Sequence, residues 1–364
     1  MIQESHATLT FSLFDWLEVS GAPLADQLEE RLQLLELADQ WGFYAYHLAQ
    51  HEGTPLSLDG SPSVVLASAI QRTERLRLVP TTYCLPWHNP LQLYHEICLL
   101  DHYSRGRLEV GVGRGASPIE GAYHGVTSVE QGRERAQEVL DILLSAFRAD
   151  ALTYQGQYFT YDGVELYDKP YQRPYPPLWY PSSNFDTVPY LARHGLHTSH
   201  NFAPNAVAKR HFDRYRELYA AHRPDGINVH AGPPRLGNTR HVYVAQTDAQ
   251  ALEEAGPAFA LWAQHVSYLS GKFGNRPRDS LTLESRLANG TALVGSPDTV
   301  RRQIATMVEE TGINYFLGVF SFGNLPFECM ASSLRLFAFE VMPAFGGDPE
   351  RRGVPATPMT GGAS

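Results

Sequence analysis

Short β-rich runs alternate with amphipathic helical stretches along most of this chain. Such a rhythm folds into a parallel sheet covered by helices, because each strand needs a crossover to return parallel to its neighbour. Eight strands are predicted, beginning near Leu9, Phe43, Leu76, Arg107, Pro177, Leu196, Arg240 and Asn314, each running into a polar or Gly/Pro-rich loop. Eight units suit a closed (β/α)8 barrel of the TIM type, a single domain over residues 1–345. In the first helix Leu24, Leu28, Leu32 and Leu35 fall on one face, with Glu29, Glu30, Arg31 and Glu36 among the polar positions, and Gly42 stops it. Ser296-Pro297-Asp298 starts a late helix that Gly312 ends.

Two gaps in the rhythm hold insertions. The one after strand 4, about 151–177, is Tyr- and Pro-rich and reads as a small hairpin followed by an extended segment over the barrel mouth. The one after strand 7, about 270–291, is polar and Gly-containing and reads as an active-site lid. The stretch 346–364 is too poor in apolar residues to repay the entropy of ordering and is expected to be a disordered tail.

A net charge of -10 without any basic run argues against nucleic acid, whose phosphates are bound by clustered Lys and Arg. Cys84, Cys98 and Cys329 lie far apart without a C-x-x-C pair, so neither a disulfide framework nor a cysteine-built metal site is expected. Without an export signal or an apolar run of membrane-spanning length, a cytoplasmic protein is expected.

In such a barrel, chemistry sits at the C-terminal ends of the strands. The second strand ends in HLAQHEG, placing His51 where an imidazole reaches a pocket and exchanges protons as a general base; a hydrogen-bonded structural histidine fits the same position. His47 is too far from His51 along a strand to share one metal ion, and no metal is expected. The third strand ends in Thr81 and Thr82, and the next loop adds Trp87 and His88, a rim suited to a planar heterocycle or to ordinary packing. The fourth, RLEVGVGRG, turns Gly111 and Gly113 to one side, leaving room for something to approach the backbone, and ends in Arg114, suited to a phosphate. Ser182, Ser183 and Asn184 precede a helical stretch, as a phosphate site or a plain cap would.

The stretches TFSLFDW, HLAQHE, PTTYCLPWHNPLQLYHEICLLDHYSRGRLEVGVGRG, YPSSNFDTV, LVGSPDTVRRQI and INYFLGVFSFG together resemble the luciferase-like flavin monooxygenases over about Leu9 to Phe345. Leu85-Pro86, Asp101, Ser104-Arg105-Gly106-Arg107 and Arg114 occupy the family's characteristic places. The resemblance implies reduced FMN, delivered by a separate flavin reductase, that reacts with dioxygen to a flavin hydroperoxide and oxygenates a substrate; the aromatic residues Tyr154, Tyr158, Tyr161, Trp262 and Tyr268 suit a small, apolar organic molecule, and suit ordinary packing as well. It implies that His51 is the catalytic histidine and that Thr82 lies in a segment that often holds a cis peptide beside the flavin ring. It implies that Arg114, Ser182 and Ser183 hold the phosphate, that Phe14, Asn201 and Phe202 line the flavin pocket, and that the chain pairs as a homodimer or with a related subunit.

Three departures fall at the site. The family's Glu-His-His is Gln50-His51-Glu52 here; the reactive cysteine of the luciferase alpha chain is Gly113; the phosphate turn has Ser182 for a carboxylate and Asp186 for a threonine. An acid beside phosphate is unfavourable, so Asp186 is expected to turn away. Two other readings share the scaffold: a deazaflavin-dependent hydride-transfer enzyme, whose longer anionic tail would call for a basic cluster that is not evident, and a non-catalytic flavin-binding partner subunit, which would not require His51.

Overall fold

The computed structural model describes residues 9–115, 118–222, 226–272 and 281–346. Twelve strands are formed: β1 (Thr10–Asp15), β2 (Ala45–Leu48), β3 (Arg77–Pro80), β4 (Tyr83–Cys84), β5 (Val110–Gly113), β6 (Ala151–Gln155), β7 (Thr160–Glu165), β8 (Leu178–Trp179), β9 (Thr198–Asn201), β10 (Leu236–Val244), β11 (Ala292–Gly295) and β12 (Tyr315–Val319). The α-helices are α1 (Leu24–Gln40), α2 (Pro62–Arg72), α3 (Pro90–Tyr103), α4 (Pro118–Tyr123), α5 (Val129–Arg148), α6 (Val188–His194), α7 (Asn205–His222), α8 (Asp248–Lys272), α9 (Leu283–Ala288), α10 (Pro297–Thr311) and α11 (Phe327–Leu336).

The architecture is α/β. One arc of parallel strands runs β11–β10–β12–β1–β2–β3 with β9 also on β10, and a second joins β4–β5–β8. Isolated parallel bridges at Leu78–Leu108 and Trp179–His197 lie between the arcs. The eight predicted starts fall near those of β1, β2, β3, β5, β8, β9, β10 and β12. The seventh differs most: β10 begins at Leu236, because Gly237, Asn238 and Thr239, which read as loop, are buried ladder positions paired with both β9 and β12.

The strand interior toward the N-terminal end of the sheet is ionic. Buried Glu109 accepts from Arg77 Nε at 2.6 Å, Arg235 Nη1 at 3.0 Å and Trp179 Nε1 at 2.5 Å. Burial alone would raise its pKa, but the two guanidiniums outweigh it and hold the carboxyl below the usual range. A buried charge is tolerable only when paired in this way.

Helix α1 follows the expected face in part: Leu35 is buried and Leu28 and Leu32 pack against the core, but Leu24 is exposed, and Gln27, Arg31, Leu34 and Ala38 widen the buried stripe on the other side. Arg31 is held inward with its Nε 3.0 Å from Asp15 Oδ2 at the end of β1. Helix α10 follows its signals, with Ser296 accepting from Thr299 N–H and Gly312 in the left-handed conformation at its end.

The hairpin expected after strand 4 is present as antiparallel β6–β7. None of residues 151–177 lines the cavity at the strand ends. Glu138 of α5 accepts from the N–H groups of Gln157, Tyr158 and Phe159 at 3.1, 3.0 and 2.7 Å. The segment after it is tied to α3 by His95 Nδ1, 2.8 Å from Asp168 Oδ2. These contacts fix the insertion to the flank of α3 and α5. The expected lid falls partly on residues 273–280, and the expected tail almost wholly on 347–364, both outside the described residues; the rest of the lid stretch holds the end of α8 and all of α9. Among the described residues, no helix is long and apolar enough to cross a membrane.

Candidate active site

The ends of β2, β3, β5, β8 and β9 meet the N-terminal half of α5 around a cavity of about 650 Å³. That volume lies within the roughly 300–1,000 Å³ typical of cofactor and small-molecule sites. Its wall includes His51, Thr82, Gly113, Arg114, Ser182, Ser183 and Asn201, seven of the residues the sequence singles out. Phe14 and Phe202 are not brought to it. Phe14 is buried edge-on against Trp16, and Phe202 stacks on Trp16 at 5.6 Å and His241 at 4.8 Å, in an aromatic cluster that also holds Trp262.

His51 lies in the loop after β2, behind Ala49 and Gln50, its backbone N–H donating to Asp59 O at 3.2 Å. Its Nδ1 lies 3.1 and 3.3 Å from the two carboxylate oxygens of Glu120 on α4. A carboxylate only accepts, so this contact calls for a proton on Nδ1. Glu120 is itself buried and accepts from Glu52 N–H at 2.7 Å. Glu52 in turn meets His124 Nε2 at 2.9 Å, and His124 stacks on Trp87 with an interplanar angle of 7°.

Gln50, which stands where the family has an acid, uses its amide oxygen to accept from Cys84 N–H at 2.9 Å and to meet His88 Nε2 at 3.1 Å. Trp87 and His88 are thus spent on scaffold contacts rather than on the cavity rim. Burial lowers the His88 pKa to about 4, so its ring is neutral. His47 is a satisfied core histidine between Thr81 Oγ1 at 2.9 Å and Tyr315 OH at 2.8 Å.

The Thr81–Thr82 peptide is cis, in the segment where the family resemblance implies one. Across from it Gly111 does not leave empty room, as expected, but lets two backbones touch, while Gly113 meets the Thr82 side chain at the cavity wall. A Cβ on Gly111 would lie 2.1 Å from Pro80 O, and one on Gly113 2.6 Å from Thr82 Oγ1. What approaches the β5 backbone is the chain at 80–82. Cys84 is the register partner of Gly113 and also lines the cavity, its thiol pKa pushed up by burial.

In the turn after β8, Ser182 Oγ accepts from Asn184 N–H at 3.2 Å and Asn184 Oδ1 from Asp186 N–H at 3.0 Å. Asn184 caps the 3-10 turn Phe185–Thr187, while α6 itself begins after Thr187 without a side-chain cap; neither serine caps a helix, and Ser182 Oγ, accepting from Asn184 N–H, keeps its own proton to donate. Asp186, expected to turn away, is part of the wall. Arg114 and Arg133 line the same cavity, so the wall carries two cations to that one acid and the balance still favours an anion.

Sequence reasoning missed Glu120, Tyr180 and the α5 residues Arg133 and Gln137. It searched only strand ends, whereas α5 meets the cavity through its flank. The amphipathic pattern of α5 and the Arg133–Gln137 spacing of one helical turn were the available signals.

The model of the luciferase-like monooxygenase family matches residues 9–315. An uncharacterised protein of Sinorhizobium fredii is 34% identical over 340 residues, 93% of this chain and 98% of its own. Limonene 1,2-monooxygenase of Rhodococcus erythropolis is 26% identical over 338 residues, 90% of this chain and 84% of its own. Among solved structures, the oxygenating constituent of 3,6-diketocamphane monooxygenase from Pseudomonas putida, a type II Baeyer–Villiger monooxygenase in complex with FMN, superposes with a TM-score of 0.78 at 22% identity. That match covers 93% of this chain and 98% of the other. The chain belongs to the luciferase-like monooxygenase family, and it is a flavin-dependent oxidoreductase.

Proposed function

We propose that this chain is the oxygenating component of a two-component monooxygenase that takes reduced FMN from a separate flavin reductase and inserts one atom of dioxygen into a small, apolar organic substrate. The observation that carries the reading is the single cavity into which His51, Thr82, Gly113, Arg114, Ser182, Ser183 and Asn201 converge. Limonene and diketocamphane, named for the relatives, are small and apolar, in keeping with that substrate class. The parallel bridges between the two arcs support closure of the strands into a (β/α)8 barrel, with the β6–β7 hairpin as an insertion.

The donor set fits FMN. Arg114 and Arg133 neutralise a phosphate while Ser182 and Ser183 donate to its oxygens, and the small side chains of Ala49, Thr81 and Thr82 leave space for a planar ring. Bound reduced flavin supplies the electrons that activate dioxygen. His51 then takes or returns a proton through Nε2, while Leu85 and Leu140 keep water from the wall.

Anaerobic equilibrium titration with photoreduced FMN, beside a deazaflavin cofactor, tests the reading. Reduced FMN is expected to bind, to reoxidise in air more slowly than in free solution, and to bind roughly 10-fold or more weakly after Arg114→Ala, the scale of one lost charged hydrogen bond. Tight binding of the deazaflavin with no binding of reduced FMN would transfer the site to the hydride-transfer class.

A further inference from the structure

We propose that Glu120 is a positioning residue that fixes the tautomer of His51. The inference rests on the reading of His51 as the proton-handling group, and it assigns how that group is kept competent.

The geometry is a crossed pair. The loop after β2 gives an imidazole and an acid in succession, His51 and Glu52; the segment after β5 gives an acid and an imidazole, Glu120 and His124. His51 Nδ1 meets Glu120 at 3.1 Å, and Glu52 Oε2 meets His124 Nε2 at 2.9 Å. The two pairs are not equivalent. Glu120 is 2% exposed as a side chain, against 24% for Glu52. In the first pair water therefore reaches only the imidazole, 20% exposed, whereas in the second it reaches both partners.

Glu120 is itself oriented. The oxygen nearer His51 also accepts from Glu52 N–H at 2.7 Å, a strong charge-assisted bond that holds the carboxylate to the loop backbone. A carboxylate held so can only accept from Nδ1–H, which makes Nε2 the basic nitrogen. Because α4 follows the strand that ends in Gly113 and Arg114, the same short stretch that contributes the phosphate-binding arginine also orients the base.

Glu120→Leu tests this role, with Glu120→Gln as the conservative control. In Glu120→Gln the amide oxygen keeps the bond to Glu52 N–H and remains the atom nearest Nδ1, so it goes on accepting; in Glu120→Leu no acceptor faces Nδ1. Two-dimensional ¹H–¹⁵N spectra, with the His51 signals assigned by their loss in His51→Ala, should show Nδ1–H in the wild type and in Glu120→Gln, and Nε2–H in Glu120→Leu. FMN affinity should stay within about two-fold in both variants, while turnover should fall by roughly 10-fold or more in Glu120→Leu only. An unchanged tautomer in Glu120→Leu, or an Nε2–H wild type, would overturn the proposal. The spectra need neither flavin nor substrate, so a failure of the monooxygenase reading leaves this arm intact and separately decided.

Discussion

Asp59 is the residue whose protonation the fold disturbs most usefully for a test. It is buried below the His51 loop, its Oδ2 has no hydrogen-bond partner among the described residues, and burial raises its pKa to about 7. A carboxyl raised in the folded state is a burden that appears as pH rises from about 4 and is complete above 7, at about 1.4 kcal/mol per unit. Asp59→Asn should therefore be more stable than the wild type at pH 8, with the advantage vanishing toward pH 4; urea midpoints at the two pH values decide it. The two glycines of β5 make a second pair. Gly111→Ala drives a methyl against the backbone of Pro80 and should cost about 3 kcal/mol or more, whereas Gly113→Ala meets only the Thr82 side chain, which can turn. Denaturant unfolding of both variants measures the difference. These residues also mark what the sequence reveals. His51, Thr82 and Arg114 were legible because strand ends are legible; Glu120 was not, since its partner lies 69 positions away and its six-residue helix has no periodicity to read.

At the level of elements, the strand–helix alternation was visible because apolar runs and turn residues are local signals. The inward face of α1 was legible in part: the stripe of Leu28, Leu32 and Leu35 does pack on the core, but the burial of Arg31 depends on Asp15 of another element and has no local signal. Similarly, the hairpin was legible as a hairpin, but its resting place on α3 and α5 depends on Glu138, a residue indistinguishable in sequence from any other helical acid. Helix α5, which carries Arg133 to the cavity, starts at Ser128, whose side chain accepts from Gln131 N–H. Ser128→Ala should lower stability by about 1 kcal/mol. If the entry of α5 also sets the place of Arg133, FMN binding should weaken with it, which isothermal titration would show.

The molecule as a whole is built to be neutral inside at the histidines. Burial lowers the pKa of His47 and His197 to about 3 and of His88 and His200 to about 4. A histidine depressed in the fold contributes stability that is complete above its ordinary value near 6.5 and is lost as pH falls through the window toward 4. Asp59, Glu18 and Asp101, whose carboxyls burial raises, act in the opposite sense over part of that window, but His230 and His241 are lowered as well, so three groups oppose six. The urea midpoint of the whole protein should therefore drop steeply between pH 6.5 and 4; a flat profile would mean that these rings are solvated.

The crossed acid–imidazole pairs tie together two stretches of chain that the sequence keeps nearly seventy residues apart. Neither can be transplanted alone. A chimera that borrows the loop after β2 from a relative would arrive with a histidine whose partner stayed behind, and one that borrows α4 would arrive with an acid facing a stranger. Anyone reshaping this cavity by recombination will have to treat residues 50–52 and 118–124 as one inherited block.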